Sequence, residues 1–156
     1  MIRRAETKDI DRIIELLEEV LELHAALRPD IFVTGTTKYT REELGEIIAN
    51  DKTPVYVSAD ENGRVLGYAF CQIKEQPFVN HMVQFKTVYI DDLCVDEACR
   101  GRHIGEQLFE HVKSEAKRLG CYDITLNVWT GNDNAEHFYE KMGMKPREKQ
   151  MEYILQ

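Results

Sequence analysis

No run of apolar residues in this chain approaches the roughly 20 needed to cross a bilayer. The opening residues, Met1-Ile2-Arg3-Arg4-Ala5-Glu6, lack the apolar stretch of a secretion signal. Cytoplasmic residence without a membrane partner is the expectation. The four cysteines, Cys71, Cys94, Cys99 and Cys121, contain no C-x-x-C pair, which argues against a zinc site, or any metal site, and for a reducing compartment. Clustered Lys and Arg are also missing. The net charge is -8, so the phosphate neutralisation that nucleic-acid binding needs is not provided, whereas an acidic surface draws cationic ligands. No internal repeat, low-complexity tract or linker interrupts the 156 residues, and residues 1–156 read as one domain.

What is present is ordinary for a folded protein: 43% hydrophobic and 31% charged residues, far from the composition of disordered chains. After a short apolar start at Ile2, Thr7 is placed to cap a helix whose apolar positions Ile10, Ile13, Ile14, Leu17, Val20 and Leu21 recur at helical spacing. Pro29 lies beyond its end, and residues 28–39 read as a loop. Thr40-Arg41-Glu42-Glu43 is a capping box for a second, shorter helix. Strands are predicted at 55–59 and about 65–74, joined by Asp60-Glu61-Asn62-Gly63, whose Asn-Gly marks a hairpin. A further strand at about 85–96 leads into a helix ended by Gly120. A strand at 123–129, a helix at 134–142 closed by Gly143 and a last strand at 149–155 follow. The predicted order is β α α β β β α β α β, an α/β domain with a mixed central sheet flanked by helices.

Chemistry concentrates in two tracts. Arg100-Gly101-Arg102-His103-Ile104-Gly105 stands between a strand and a helix, where backbone N–H groups and the positive end of the helix dipole favour phosphate oxygens, and the two arginines add charge. By itself such a tract is also ordinary turn chemistry. The second tract is Asn132-x-x-Ala135-x-x-Phe138-Tyr139, followed by Gly143-Met144.

Together these tracts resemble the GNAT superfamily of N-acetyltransferases, whose coenzyme A loop is [QR]-x-x-G-x-[GA] and whose later motif is N-x-x-A-x-x-F-Y with G-M or G-F after it. The likeness extends over nearly the whole chain. It implies that the backbone of Leu93, Cys94 and Val95 holds the pantetheine arm of acetyl-coenzyme A, and that Arg100, Gly101, Arg102, His103, Ile104 and Gly105 cradle its pyrophosphate. It further implies that Asn132 contacts the arm, that Ala135 lines its channel and that Tyr139 protonates the departing thiolate. From the residues alone, Leu93 and Val95 read equally as core, Asn132 as a helix cap, Ala135 as a packing position and Tyr139 as a packed aromatic. His103 departs from the pattern, because the family has glycine there and a side chain must tolerate the backbone angle. His111 and His137 read as helix-surface residues without a catalytic role.

Asp91 and Asp92 interrupt an otherwise β-forming run, and strand alternation predicts one on each sheet face. Tyr89-Ile90-Asp91-Asp92-Leu93-Cys94-Val95 resembles the spermidine/spermine acetyltransferase subgroup, which implies that Asp91 assists amine deprotonation. A structural role for the pair is the alternative. The expected acceptor is thus a small cationic amine such as a polyamine, with residues 23–37, including His24, Arg28, Asp30 and Phe32, shaping its side of the cleft. Two other readings stand beside it: a protein or peptide N-acetyltransferase, and a non-catalytic acyl-coenzyme A-binding module. A homodimer is compatible with the family, though no residue marks an interface.

Overall fold

A computed structural model describes residues 1–156. Strand β1 (Ile2–Arg4) is followed by helices α1 (Ile10–Leu27) and α2 (Arg41–Ala49), strands β2 (Val55–Ala59), β3 (Val65–Glu75) and β4 (Lys86–Val95), helix α3 (Ile104–Arg118), strand β5 (Asp123–Leu126) and helix α4 (Asp133–Lys141). The five strands lie side by side in chain order. All neighbours are antiparallel except β4 and β5, whose α3 crossover makes them parallel. The α/β class and the mixed sheet read from the sequence are both observed.

Two apolar layers hold the sheet. On one face Ile10, Ile13, Leu16 and Leu17 of α1 and Leu44 of α2 pack against Val55, Val57, Tyr68 and Phe70. On the other, Ile104, Leu108, Phe109 and Val112 of α3 pack against Ala69, Cys71, Val88 and Ile90. Each fully buried aliphatic side chain contributes roughly 1.5–3 kcal/mol. Gly67 lets α3 come close: a Cβ there would lie 2.8 Å from the Cys94 carbonyl oxygen and 3.3 Å from Leu108. The hairpin forms where Asn62-Gly63 predicts it, with Gly63 at φ 82° and the Asp60 carboxylate accepting from the Asn62 and Arg64 amides.

Two expectations are corrected. Thr7 does not cap α1; Thr7–Asp9 form a 3-10 turn, because the buried Asp9 carboxylate accepts from the Glu6 amide and from Arg3, which fixes the chain one turn earlier. The predicted strand at 149–155 forms no ladder. Residues 145–156 make no backbone hydrogen bond within the chain and are exposed. Ion pairs tie them to the rest of the chain, Arg147 with Asp123 at 3.8 Å and Glu152 with Arg28 at 3.0 Å. A strand needs a backbone partner, and this segment finds none in its own chain.

Candidate active site

The sheet opens along β4. Its partner β5 pairs only from Thr87 to Ile90, so Asp91, Asp92, Leu93, Cys94 and Val95 have a neighbour on the β3 side and no strand on the other. Beyond Leu126 the chain leaves the sheet and reaches α4, so a slot with an unpaired β edge forms one wall of a cleft. Peptide-like groups of a ligand can complete this edge.

At the end of β4, residues 100–106 form a glycine turn into α3. Gly101 has φ 85° and His103 has φ 61°, the only non-glycine residue with positive φ. No backbone N–H from Gly101 through Glu106 donates to an acceptor within the chain, and the first helical bond of α3 runs from Gln107 to His103. Alternating left- and right-handed residues ahead of a helix turn such amides toward one concavity. A Cβ added at Gly101 would meet nothing within 4 Å, so the concavity is open. Gly105 serves a different end: a Cβ there would lie 3.3 Å from the Phe138 ring and 3.6 Å from Val95, so its lack of side chain lets α4 close on α3.

Helix α4 borders the same slot. The Asn132 side chain caps it, accepting from the Ala135 amide at 3.3 Å. Tyr139, one turn beyond Ala135, packs edge-on against Phe138 with centroids 5.1 Å apart, and its hydroxyl makes no hydrogen bond within the chain. Burial, with the nearby Asp92 carboxylate and Cys94 thiol, pushes its phenol well above the ordinary value. The hydroxyl therefore stays protonated at neutral pH. Burial likewise pushes the Cys94 thiol up to about 12, which removes it as a nucleophile.

The acidic pair is arranged otherwise than strand alternation predicts. The β3–β4 register shifts between Phe70 and Cys71: Phe70 opposes Asp92 and Cys71 opposes Ile90, leaving Asp91 as the extra residue of a bulge. A bulge turns consecutive side chains to one face. Asp91 accepts from Lys38 at 2.7 Å and from the Tyr39 hydroxyl at 3.0 Å, and Asp92 accepts from the Tyr68 hydroxyl at 2.6 Å, all on the α1–α2 side. Removal from water pushes the Asp92 carboxyl up to about 6, and the Asp91 charge adds to this against the pull of Tyr68 and Lys38. Lys38, Tyr39 and Tyr68 were not legible in the sequence as site residues. Tyr68 sits in an apolar strand opposite Cys94, and only the strand pairing brings its hydroxyl diagonally to an acid.

Residues 28–40 arch over this face. Phe32 stands between His24 (5.2 Å) and Trp129 (5.3 Å, edge-on), linking α1 to the chain beyond β5, and Arg28 pairs with Asp30. Beneath the arch, Glu15, Glu18, Glu19 and Glu22 of α1 line a groove of about 560 Å³ with Arg12, Gly35 and Thr36. Arg12 bonds to Asp96, and Glu22 accepts from Thr34 and the Gly35 amide. No grouping of His, Cys, Asp and Glu forms a metal site. No helix is long and apolar enough to cross a membrane.

Residues 17–144 match the acetyltransferase (GNAT) family model, a span that includes the slot, the turn into α3 and α4. The chain belongs to the acetyltransferase (GNAT) family. This GNAT chain is an N-acetyltransferase, of a family that generally takes acetyl-coenzyme A as cosubstrate. It is similar to a mutant of the BH1408 protein from Bacillus halodurans, whose crystal structure superposes with a TM-score of 0.95 at 34% identity over 100% of this chain and 99% of that one. The glucosamine-6-phosphate N-acetyltransferase of Arabidopsis thaliana gives a TM-score of 0.72 at 28% identity, covering 100% and 98%. The thialysine N-epsilon-acetyltransferase of Bos taurus is 26% identical over 92% of this chain and 82% of its own length.

Proposed function

We propose that this enzyme transfers the acetyl group of acetyl-coenzyme A to the primary amine of a small cationic molecule, such as a polyamine. The observation that carries the reading is the seat of Lys38: a primary ammonium rests 2.7 Å from Asp91 on the face that also holds Asp92. The acid pair thus accommodates the group that an acceptor would present, beside a groove lined by glutamates. The relatives named for thialysine and glucosamine 6-phosphate support a small amine over a peptide.

In this mechanism the open edge of Leu93, Cys94 and Val95 holds the pantetheine arm, with Asn132 and Ala135 beside it. The amides from Gly101 to Glu106, with Arg100 and Arg102, hold the pyrophosphate. Asp91 holds the acceptor ammonium. An alkylamine of pKa about 10.4 is neutral only about once in 10³ molecules at pH 7, a deficit of roughly 4–5 kcal/mol. A carboxylate alone raises an amine's pKa, so the proton must leave. Asp92, poised near 6, receives it through water, which extends to the neighbouring acid the deprotonating role first assigned to Asp91. The neutral nitrogen attacks the thioester carbonyl and forms the C–N bond; as the C–S bond breaks, the Tyr139 hydroxyl gives its proton to the leaving sulfur, and the second proton shed by the acylated nitrogen restores the phenol through water.

The test is a turnover panel of polyamines, thialysine, amino sugars, aminoglycosides and N-terminal peptides, run with wild type and Asp91→Asn. A preference for peptides over every small amine, or an Asp91→Asn enzyme with unaltered acceptor KM, defeats the proposal.

A further inference from the structure

Lys38 brings a primary amine to the acid pair from within the chain. It lies on the arch of residues 28–40, and its Nζ donates to the Asp91 carboxylate at 2.7 Å. The neighbouring Tyr39 fixes this placement, because its hydroxyl donates to the same carboxylate oxygen at 3.0 Å and its ring stacks on Phe70 with centroids 5.7 Å apart. On one side of Lys38 the Thr34 hydroxyl and the Gly35 amide donate to Glu22 of α1, and on the other Thr40 caps α2. The arch is thus held around Lys38, while the lysine's four-carbon stem keeps its rotational freedom. Its side chain is 44% exposed and that of Asp91 16%, so the ammonium stands at the mouth of the seat with water beside it.

In the binding mode proposed above, the reactive end of the coenzyme comes to the same place. The pyrophosphate seat, Gly101 to Glu106, lies beyond Val95, so an arm running back along the open edge passes Val95, Cys94 and Leu93 in that order and ends toward the acid pair. Asp91 precedes Leu93 by two residues, about 7 Å of strand, a distance within the sweep of a lysine stem. Tyr139 lies at that end too: the Asp92 carboxylate and the Cys94 thiol act on its phenol, and the Lys38 charge in turn acts on Asp92. No other lysine contacts the pair. Lys86 donates to the Leu119 carbonyl, Lys74 lies over the Tyr89 ring, and Lys8, Lys113 and Lys141 are paired with glutamates.

We infer that Lys38 is a modification site: when no free acceptor occupies Asp91, the enzyme transfers the acetyl group of its own bound acetyl-coenzyme A to the Lys38 Nζ. This rests on the proposed seat of the acceptor amine at Asp91 and extends it to a substrate within the chain. The ammonium gives one proton through water to Asp92. The neutral nitrogen attacks the thioester carbonyl and forms the C–N bond, and the C–S bond breaks as Tyr139 protonates the sulfur. The nitrogen's second proton restores the phenol through water, and Asp92 releases the first to solvent. One acetyl-coenzyme A and one ammonium thus yield one acetyl-lysine, free coenzyme A and one proton. Because the reacting amine is tethered, its effective concentration does not depend on how much enzyme is present. The product amide carries no charge, so the step occurs once per chain and releases Asp91 from its internal cation. A free acceptor amine at Asp91 excludes Lys38, which confines the reaction to conditions of scarce acceptor.

Incubation of the purified enzyme with acetyl-coenzyme A and no acceptor, followed over time by intact-mass measurement and peptide mapping, tests this. Expected is one acetyl group per chain, on Lys38, with a half-time independent of enzyme concentration. Tyr139→Phe should slow the modification at least about tenfold. Lys38→Arg, which keeps a cation beside Asp91 but offers no amine, should remain unmodified. An unmodified wild-type Lys38 overturns the inference, as do acetyl groups spread over the lysines in order of exposure. So does a Lys38 rate that rises with enzyme concentration or is unchanged in Tyr139→Phe. The acceptor reading fails separately: turnover of small amines with Lys38 unmodified leaves that reading standing and removes this one, whereas acetyl-Lys38 in an enzyme that turns over no small amine does the reverse.

Discussion

The Tyr68 hydroxyl donates to the Asp92 carboxylate at 2.6 Å across the β3–β4 pair, two residues before the point where the register shifts. This bond stabilises the charged carboxylate, yet burial outweighs it and the group rests near 6, well above an ordinary aspartate. Because the folded pKa exceeds the unfolded one, the unfolded chain releases this proton first as pH rises. Stability is thus unaffected below about pH 4, falls as pH rises toward 6, and stays lower above it. Asp92→Asn should be more stable relative to wild type at pH 7.5 than at pH 4, as read by melting temperature across pH. It should also lose the rising limb of kcat/KM near pH 6. A variant that keeps this limb assigns the proton to another group.

Tyr139→Phe removes a hydroxyl without an internal partner and leaves the packing on Phe138 in place. Expected is a kcat loss of about 10²- to 10⁴-fold, the range for a positioned general acid, with acetyl-coenzyme A affinity nearly unchanged. Single-turnover kinetics and calorimetry measure the two quantities separately. Full turnover when chemistry is rate-limiting would make this tyrosine a packing residue only.

Lys38→Met frees Asp91 from its internal ammonium. Lys38 is 44% exposed, so the pair is weak, worth roughly 0.2–1 kcal/mol, and the KM of cationic acceptors should fall about two- to fivefold. The lysine also pulls the Asp92 carboxyl down, so its loss should move the acidic limb of the pH profile above 6. A purely structural lysine would produce neither effect. An unchanged KM together with an unchanged profile rejects the proposed acceptor seat.

Gly105→Val should place its side chain into the Phe138 ring and push α4 away from α3. Overpacking of this kind costs about 1–3 kcal/mol, and coenzyme affinity should fall with it. His103→Gly acts oppositely. A left-handed residue with a Cβ is strained by roughly 1–2 kcal/mol, part of which is offset by glycine's greater freedom in the unfolded chain. Calorimetry should find acetyl-coenzyme A bound equally or more tightly by that variant, while weaker binding would give the imidazole a direct part in holding the ligand.

The sequence by itself determined the elements that depend on local chemistry. Helical spacing from Ile10 onward, the capping box at Thr40 and Glu43, the Asn62-Gly63 turn and the Gly120 helix end all appear where their residues require. The free amides of residues 101–106 were legible because a glycine turn before a helix leaves amides unpaired whatever packs around it. Tertiary structure decided what depends on register and partners. Alternation puts Asp91 and Asp92 on opposite faces, and a bulge, which arises from pairing with β3, turns both to one side and brings Tyr68 and Lys38 to them. Residues 149–155 carry the pattern of a strand, but a strand is a relation between two backbones, and within this chain the second backbone is missing.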